Sequence, residues 1–247
     1  MRLFLPDLTK TSDAVRLTAP SHLAHVKAQR LRVGDGITLC DGRSTVFRAQ
    51  IAAIEKAAVR CEILSSAPAD TEPKTALSVY AAWGKPDRQE YIVQKCVELG
   101  AAAVTFFSSE NMTVHYSAEQ LQKRLLRLQA VSEAAAEQCG RGIIPRVDAL
   151  PSFDGAVSAA AMAELAVFPY ENERGLSMRG YLEGKQPNAV KTASVVTGSE
   201  GGFSPAEVQS AVAAGLEPVS LGRRILRCDT APIAVTAVVM WLLGELE

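Results

Sequence analysis

The sequence predicts an α/β protein in which a mostly parallel sheet flanked by helices follows a small antiparallel β-barrel. Three observations carry this. From Ala76 onward, apolar and β-branched runs alternate with helical patterns, the order that builds a parallel sheet. Residues 1 to about 68 hold shorter strand-like runs separated by tight-turn residues. Between the two lies Ser65-Ser-Ala-Pro-Ala-Asp-Thr-Glu-Pro73, which lacks apolar periodicity and is rich in Ser and Pro, as linkers are. A chain of 247 residues accommodates a small domain over 1–70 and a larger one over 74–247.

In the first domain the strand-like runs are Ile37–Cys40, Thr45–Ile54 and Ala58–Leu64, with Gly34-Asp-Gly36 and Asp41-Gly42 suited to the connections. His22 and His25 stand one helical turn apart and read as a solvated helix face. No third ligand is near them, so no metal is expected.

In the second domain, strands are expected at Leu77–Ala82, Ala102–Phe107, Leu165–Phe168 and Ser194–Thr197. The helix after Pro86 has Asp87 and Glu90 in capping-box positions and ends at Gly100. The next opens at Ser117 and Gln120 and runs to about Gly140. Their apolar stripes, with Tyr91, Ile92, Leu99, Leu121, Leu125 and Leu128, read as scaffold.

The stretch from Ser194 to Leu243 organises the rest. Its β-branched opening stops at Gly198-Ser-Glu-Gly-Gly202, where glycines let backbone amides approach a ligand with no Cβ in the way. Ser204, Pro205 and Glu207 then supply an N-cap, a first-turn proline and the N3 carboxylate of a capping box, and Gly215 stands where a left-handed C-cap belongs. After a short strand at Val219-Ser-Leu221 comes Gly222-Arg-Arg-Ile-Leu-Arg-Cys-Asp229, which sets three arginines and a carboxylate at the mouth of a helix opening near Thr230 and Pro232. Ligands of open α/β sheets bind outside the carboxyl ends of strands, where both turns fall. The final helix, Ala231 to Leu243, is apolar around nearly its whole circumference. It is shorter than the roughly 20 residues of a membrane span, so burial in protein and a homodimer are expected.

Composition bounds the function. A content of 48% hydrophobic and 21% charged residues excludes a disordered or collagenous chain. Net charge is −1, with +2 on residues 1–72 and −3 on the remainder, a division too small to argue nucleic-acid binding. Five cysteines without metal-like spacing, and no apolar leader before Arg2-Leu-Phe-Leu-Pro6, point to reduced thiols in the cytoplasm. There is no G-x-G-x-x-G opening the first strand–helix unit, no G-x-x-x-x-G-K-[ST], no C-x-x-C and no G-x-S-x-G, which weakens dinucleotide, nucleotide-triphosphate, zinc and hydrolase readings.

The strings G-S-E-G-G-F-S-P-A-E-V and L-G-R-R-I-L-R-C-D-T-A, with Lys95-Cys-Val-Glu-Leu-Gly100 and Glu133-Ala-Ala-Ala-Glu-Gln-Cys-Gly-Arg141, fall in the right order to resemble one family. This is the 16S ribosomal RNA uracil-1498 N3-methyltransferases, the RsmE branch of the knotted SPOUT superfamily. Ser199 stands where that family usually has proline, Asn111 where arginine is common, and Cys228-Asp229 where threonine-glutamate is usual. The resemblance implies a PUA-like barrel, a trefoil knot, a homodimer, S-adenosylmethionine as cofactor and uridine 1498 of 16S rRNA in the 30S subunit as substrate. It places the cofactor among Phe168, Tyr170, Gly198, Glu200, Gly201, Gly202, Leu221, Gly222, Ile225 and Leu226, and RNA along Arg2, Arg30, Arg32, Arg141, Arg223 and Arg224. Other RNA targets, or a knotted RNA-binding protein without catalysis, are the alternatives.

The implied reaction sets chemical demands. Uridine N3 carries a proton in neutral water, so its attack on a methyl group leaves negative charge shared with the carbonyl oxygens. Arg227 is the candidate cation, because a guanidinium stays charged and offers a planar fork of donors; for the same reason it is no base. Glu200 and Asp229 are the carboxylates on the two turns. A structural role is favoured for Glu200 and either role is open for Asp229.

Overall fold

The computed structural model describes residues 2–183, 185 and 190–246. They form two compact units, Met1–Glu72 with Ala136–Ile144, and Pro73–Ala135 with Pro145–Glu247.

The first unit is a five-stranded sheet in the order β1-β3-β4-β5-β2, with β1 Arg2–Phe4, β2 Ala14–Leu17, β3 Gly36–Cys40, β4 Thr45–Ile54 and β5 Val59–Pro68. Pairing is antiparallel as expected except at one edge, where β1 runs parallel to β3. Phe47, Ala49 and Ile51 alternate inward along β4, joining Leu3, Leu17, Leu39 and Val59, while Arg48 and Gln50 face water. Register shifts at Arg48/Ala49 and Ile51/Ala53 mark bulges that bend the long β4–β5 ribbon around this core. Val26 of α1, Pro20–Ala28, reaches the same cluster.

Two sequence expectations change here. Ser65–Pro68 is strand and not linker, because Thr45–Arg48 pair with it along the ladder. The segment 136–144 joins this unit through a buried ion pair: Arg141, only 6% exposed, holds the Glu72 carboxylate at 2.7 and 3.1 Å. The other Glu72 oxygen accepts the Gly142 and Ile143 N–H groups at 2.8 and 3.1 Å. The Arg141 side chain, expected along RNA, is thus engaged in the scaffold. Arg2 is half-buried and donates to the Gly140 carbonyl, which also ties it to the scaffold.

The second unit is a six-stranded, wholly parallel sheet in the order β11-β9-β10-β6-β7-β8. The strands are β6 Ala76–Ala82, β7 Ala103–Phe107, β8 Arg146–Leu150, β9 Leu165–Pro169, β10 Thr192–Thr197 and β11 Pro218–Val219. Helices α2 Pro86–Glu98 and α7 Thr230–Leu242 pack on one another, as do α4 Phe153–Ala160 and α6 Pro205–Ala213; α3 spans Ala118–Cys139 and α5 Met178–Leu182. The capping box of α6 is present in full, with Ser204 and Glu207 exchanging bonds, and Ser117 and Gln120 exchange bonds likewise at the start of α3. No box forms at α2. Its N-cap is Lys85, Pro86 begins the helix, and Glu90 instead binds Arg124 and Arg127 of α3 at 2.8 and 3.1 Å.

At the far edge of the sheet, the stretch 218–220 lies between two limbs of the loop that leaves β9. Tyr170 N–H donates to Val219 O at 3.0 Å on one side, while Ser220 N–H donates to Leu176 O at 2.8 Å and Met178 N–H to Ser220 O at 2.9 Å on the other. Helix α7 buries Pro232, Val235, Thr236, Val239 and Met240 but leaves Val238 44% and Trp241 65% exposed. Among the described residues no helix is long and apolar enough to cross a membrane.

Candidate functional site

Because every strand of the second sheet points the same way, the carboxyl ends of β6, β9, β10 and β11 lie along one edge, and the loops leaving them converge. They enclose a cavity of about 430 Å³. Its walls are the β9 loop (Tyr170, Glu171, Arg174), the glycine turn (Gly198 to Gly202) and the arginine turn (Leu221 to Cys228), with Arg88 of α2 at one side. The two turns, expected together at the carboxyl ends of strands, line one cavity.

The glycine turn is tight for identifiable reasons. A Cβ on Gly198 would stand 3.3 Å from Gly202 C, and one on Gly201 would meet the Asn111 carbonyl oxygen at 2.7 Å. Gly202 has φ +67, and a Cβ there would overlap Glu171 Oε1. Asn111 closes the outside of the turn, its amide Nδ2 donating to Gly201 O at 3.3 Å. Ser199 lines the cavity, and its buried hydroxyl has no hydrogen-bond partner among the described residues.

Arg88 ties the turns together. One guanidinium nitrogen, Nη1, donates to Glu200 Oε1 at 2.7 Å and to Cys228 Sγ at 3.3 Å. Lys85 N–H adds a bond to the same Glu200 oxygen at 3.3 Å, and a Cβ on Gly84 would press on that carboxylate at 3.3 Å. Burial pushes the Cys228 thiol above its usual range, with Arg88 working against the rise, so the group is a neutral thiol near pH 7.

Most of the residues singled out in the sequence line this cavity: Tyr170, Gly198, Glu200, Gly201, Gly202, Leu221, Gly222, Arg223, Arg224, Ile225, Leu226 and Arg227. Two do not. Phe168 is fully buried behind the site, its ring 4.9 Å from that of Phe203, because β9 is an inner strand covered on both faces. It packs on Phe203, the residue that follows the glycine turn, and does not line the cavity where the cofactor was expected. Asp229 lies outside the lining, serves as the N-cap residue of α7 and bonds Thr230 Oγ1 at 3.3 Å. Arg30 and Arg32 are exposed on the first unit, Arg30 at φ +54. Missed from sequence were Arg88, Glu171, Arg174 and Ser220. The available signal was their place just beyond the carboxyl ends of parallel strands.

Arg227 is exposed and lines this cavity, and its guanidinium makes no ion pair or hydrogen bond to another described residue. Only its carbonyl is used, accepting the Thr230 and Ala231 N–H groups at 3.0 and 2.9 Å. A structural link from Arg227 to Asp229 is therefore absent among the described residues.

Residues 71–240 match the family model described as an RNA methyltransferase domain, and residues 21–64 that of an RNA methyltransferase PUA domain. The ribosomal RNA small subunit methyltransferase E of Synechocystis is 34% identical over 215 residues, covering 87% of this chain and 68% of that protein. That of Bacillus subtilis is 28% identical over 247 residues, covering 96% of each. The crystal structure of the Neisseria gonorrhoeae enzyme of the same name, bound to S-adenosylmethionine, superposes with a TM-score of 0.83 at 29% identity, over 98% of this chain and 97% of that one. With two turns in one cavity at the carboxyl edge of a parallel sheet, and matches of this extent, the chain belongs to the RNA methyltransferase family that these ribosomal RNA enzymes represent.

Proposed function

We propose that this protein is an S-adenosylmethionine-dependent methyltransferase that modifies N3 of a uridine in small-subunit ribosomal RNA, at the position numbered 1498 in 16S rRNA, within the 30S subunit. The observation that carries this is the convergence of the glycine and arginine turns on one cavity. The residues fit the cofactor. Glycines 198, 201 and 202 leave backbone within reach of an adenosine, the Ser199 hydroxyl lacks a partner, and Tyr170, Leu221, Gly222, Ile225 and Leu226 supply the remaining wall. S-adenosylmethionine, when bound, supplies a methyl group on a positively charged sulfonium.

The chain's own residues do the rest. Arg227 offers its fork of donors to the uracil oxygens as N3 passes its proton to water, stabilising charge present only along the reaction. Glu200 is a positioning residue: held by Arg88 and Lys85, it keeps the glycine turn in register with the arginine turn. Arg223 and Arg224, exposed at the cavity mouth, meet RNA phosphate. The knotted threading of the family is part of this reading, supported by 218–220 lying between the two limbs of the β9 loop. Calorimetric titration of S-adenosylmethionine into the purified chain tests the assignment. Saturable one-site binding is expected, and no binding would overturn it.

A second copy of the chain covers α7. Val238 and Trp241 of α7 and Tyr91 of α2 leave large apolar surface in water on two helices that pack together. Light scattering is expected to give twice the 26.3 kDa chain mass, and Trp241→Glu to shift it toward one chain. A single-chain mass for the wild type at micromolar concentration would contradict the dimer.

The first unit serves RNA capture. Arg30→Glu with Arg32→Glu is expected to weaken RNA binding and flatten its salt dependence, since each lost phosphate contact lowers the salt slope by about 1. S-adenosylmethionine affinity should not change. Unaltered RNA affinity in filter binding would remove both arginines from the interface.

A further inference from the structure

We infer that Glu171 recognises the α-ammonium group at the amino-acid end of S-adenosylmethionine. The inference rests on the cofactor reading above and adds to it a residue that neither turn contains. Glu171 lies two residues beyond the end of β9 and lines the cavity. Its carboxylate sits directly over Gly202, where a Cβ would overlap Oε1 and stand 3.5 Å from Oε2. Gly202 therefore makes room for the carboxylate itself.

The charge inventory of the cavity singles this group out. Arg88, Arg174, Arg223, Arg224 and Arg227 line it, against two carboxylates, Glu171 and Glu200. Glu200 is committed to Arg88 at 2.7 Å, whereas the Glu171 side chain has no ion pair or hydrogen bond among the described residues. Arg174, its nearest guanidinium in sequence, turns instead to the backbone carbonyls of Glu171 and Glu173 at 2.6 and 3.1 Å. A ligand with two positive centres and one carboxylate would be repelled by five guanidiniums unless an anion faced it, and Glu171 is the uncommitted one. Between the two cationic centres, the ammonium has three N–H donors that a carboxylate accepts directly. The sulfonium has none, and its methyl group must face the uracil.

Equilibrium titrations with three ligands test this: S-adenosylmethionine, S-adenosylhomocysteine, and the deaminated analogue of the latter, S-adenosyl-4-mercaptobutyrate. For Glu171→Gln and Glu171→Ala, affinity for the first two is expected to fall by the same factor, roughly 10-fold to 100-fold for a charge-assisted hydrogen bond. Affinity for the deaminated analogue should stay at the wild-type value, and the ligand-free melting temperature should hold in at least the glutamine variant. Loss confined to S-adenosylmethionine would move the contact to the sulfonium and overturn the inference. So would an equal loss for the deaminated analogue, unchanged affinities, or unchanged affinities with slower single-turnover transfer, which would make Glu171 a proton acceptor. A wild-type chain that binds none of the three would count against the cofactor reading, a separate failure.

Discussion

Arg227→Ala is expected to slow single-turnover methyl transfer about 100-fold to 1,000-fold, the usual cost of losing one preorganised donor to a developing oxyanion. Affinity for S-adenosylmethionine and the melting temperature should hardly move. The reason is local: the guanidinium has no partner among the described residues, and the hydrogen bonds Arg227 makes to the helix start are through its carbonyl, which alanine keeps. Arg227→Lys should recover part of the rate at most, since a point ammonium does not reproduce a planar fork. A parallel fall in melting temperature, cofactor affinity and rate would mark a structural arginine instead, and a near-normal rate would exclude the catalytic role.

The largest stability effect is expected away from the site. Glu72→Ala removes the carboxylate that the buried Arg141 guanidinium holds and strips two backbone N–H groups of their acceptor. Breaking a buried pair in this way costs about 3–5 kcal/mol. With two compact units, urea unfolding followed by several probes should show the loss in the transition of the unit that contains residues 1–72. A shift below about 1 kcal/mol would mean the pair is hydrated and ordinary.

What the sequence made legible was whatever is encoded locally. Ser204 with Glu207 and Ser117 with Gln120 are boxes closed within one helical turn, and both formed. The glycine and arginine turns were legible because a strand, a turn and a cap follow one another in the chain. Asp87 and Glu90 carried a similar pattern and failed, since Glu90 finds two arginines of another helix at residues 124 and 127, a competition invisible in a short window. Long-range pairing also hid the site's frame. Arg88 and Glu200 are 112 residues apart, and Glu72 and Arg141 are 69 apart. That Phe168 would lie outside the cavity lining was not legible, because a strand buried on both faces has no polar alternation to tell the cavity side from the core side. Glu171 went unnoticed because a lone glutamate after a strand carries no pattern until Gly202 is seen beneath it.

The most direct test of the central assignment is mass mapping of nucleosides from small-subunit rRNA. Wild-type 30S particles from cells lacking this protein would be incubated with the purified chain and methyl-labelled S-adenosylmethionine. The predicted result is one labelled 3-methyluridine at position 1498 of the 16S rRNA, strongly reduced with Arg227→Ala. Label in a different nucleoside, or no label from a chain that binds the cofactor normally, would contradict it.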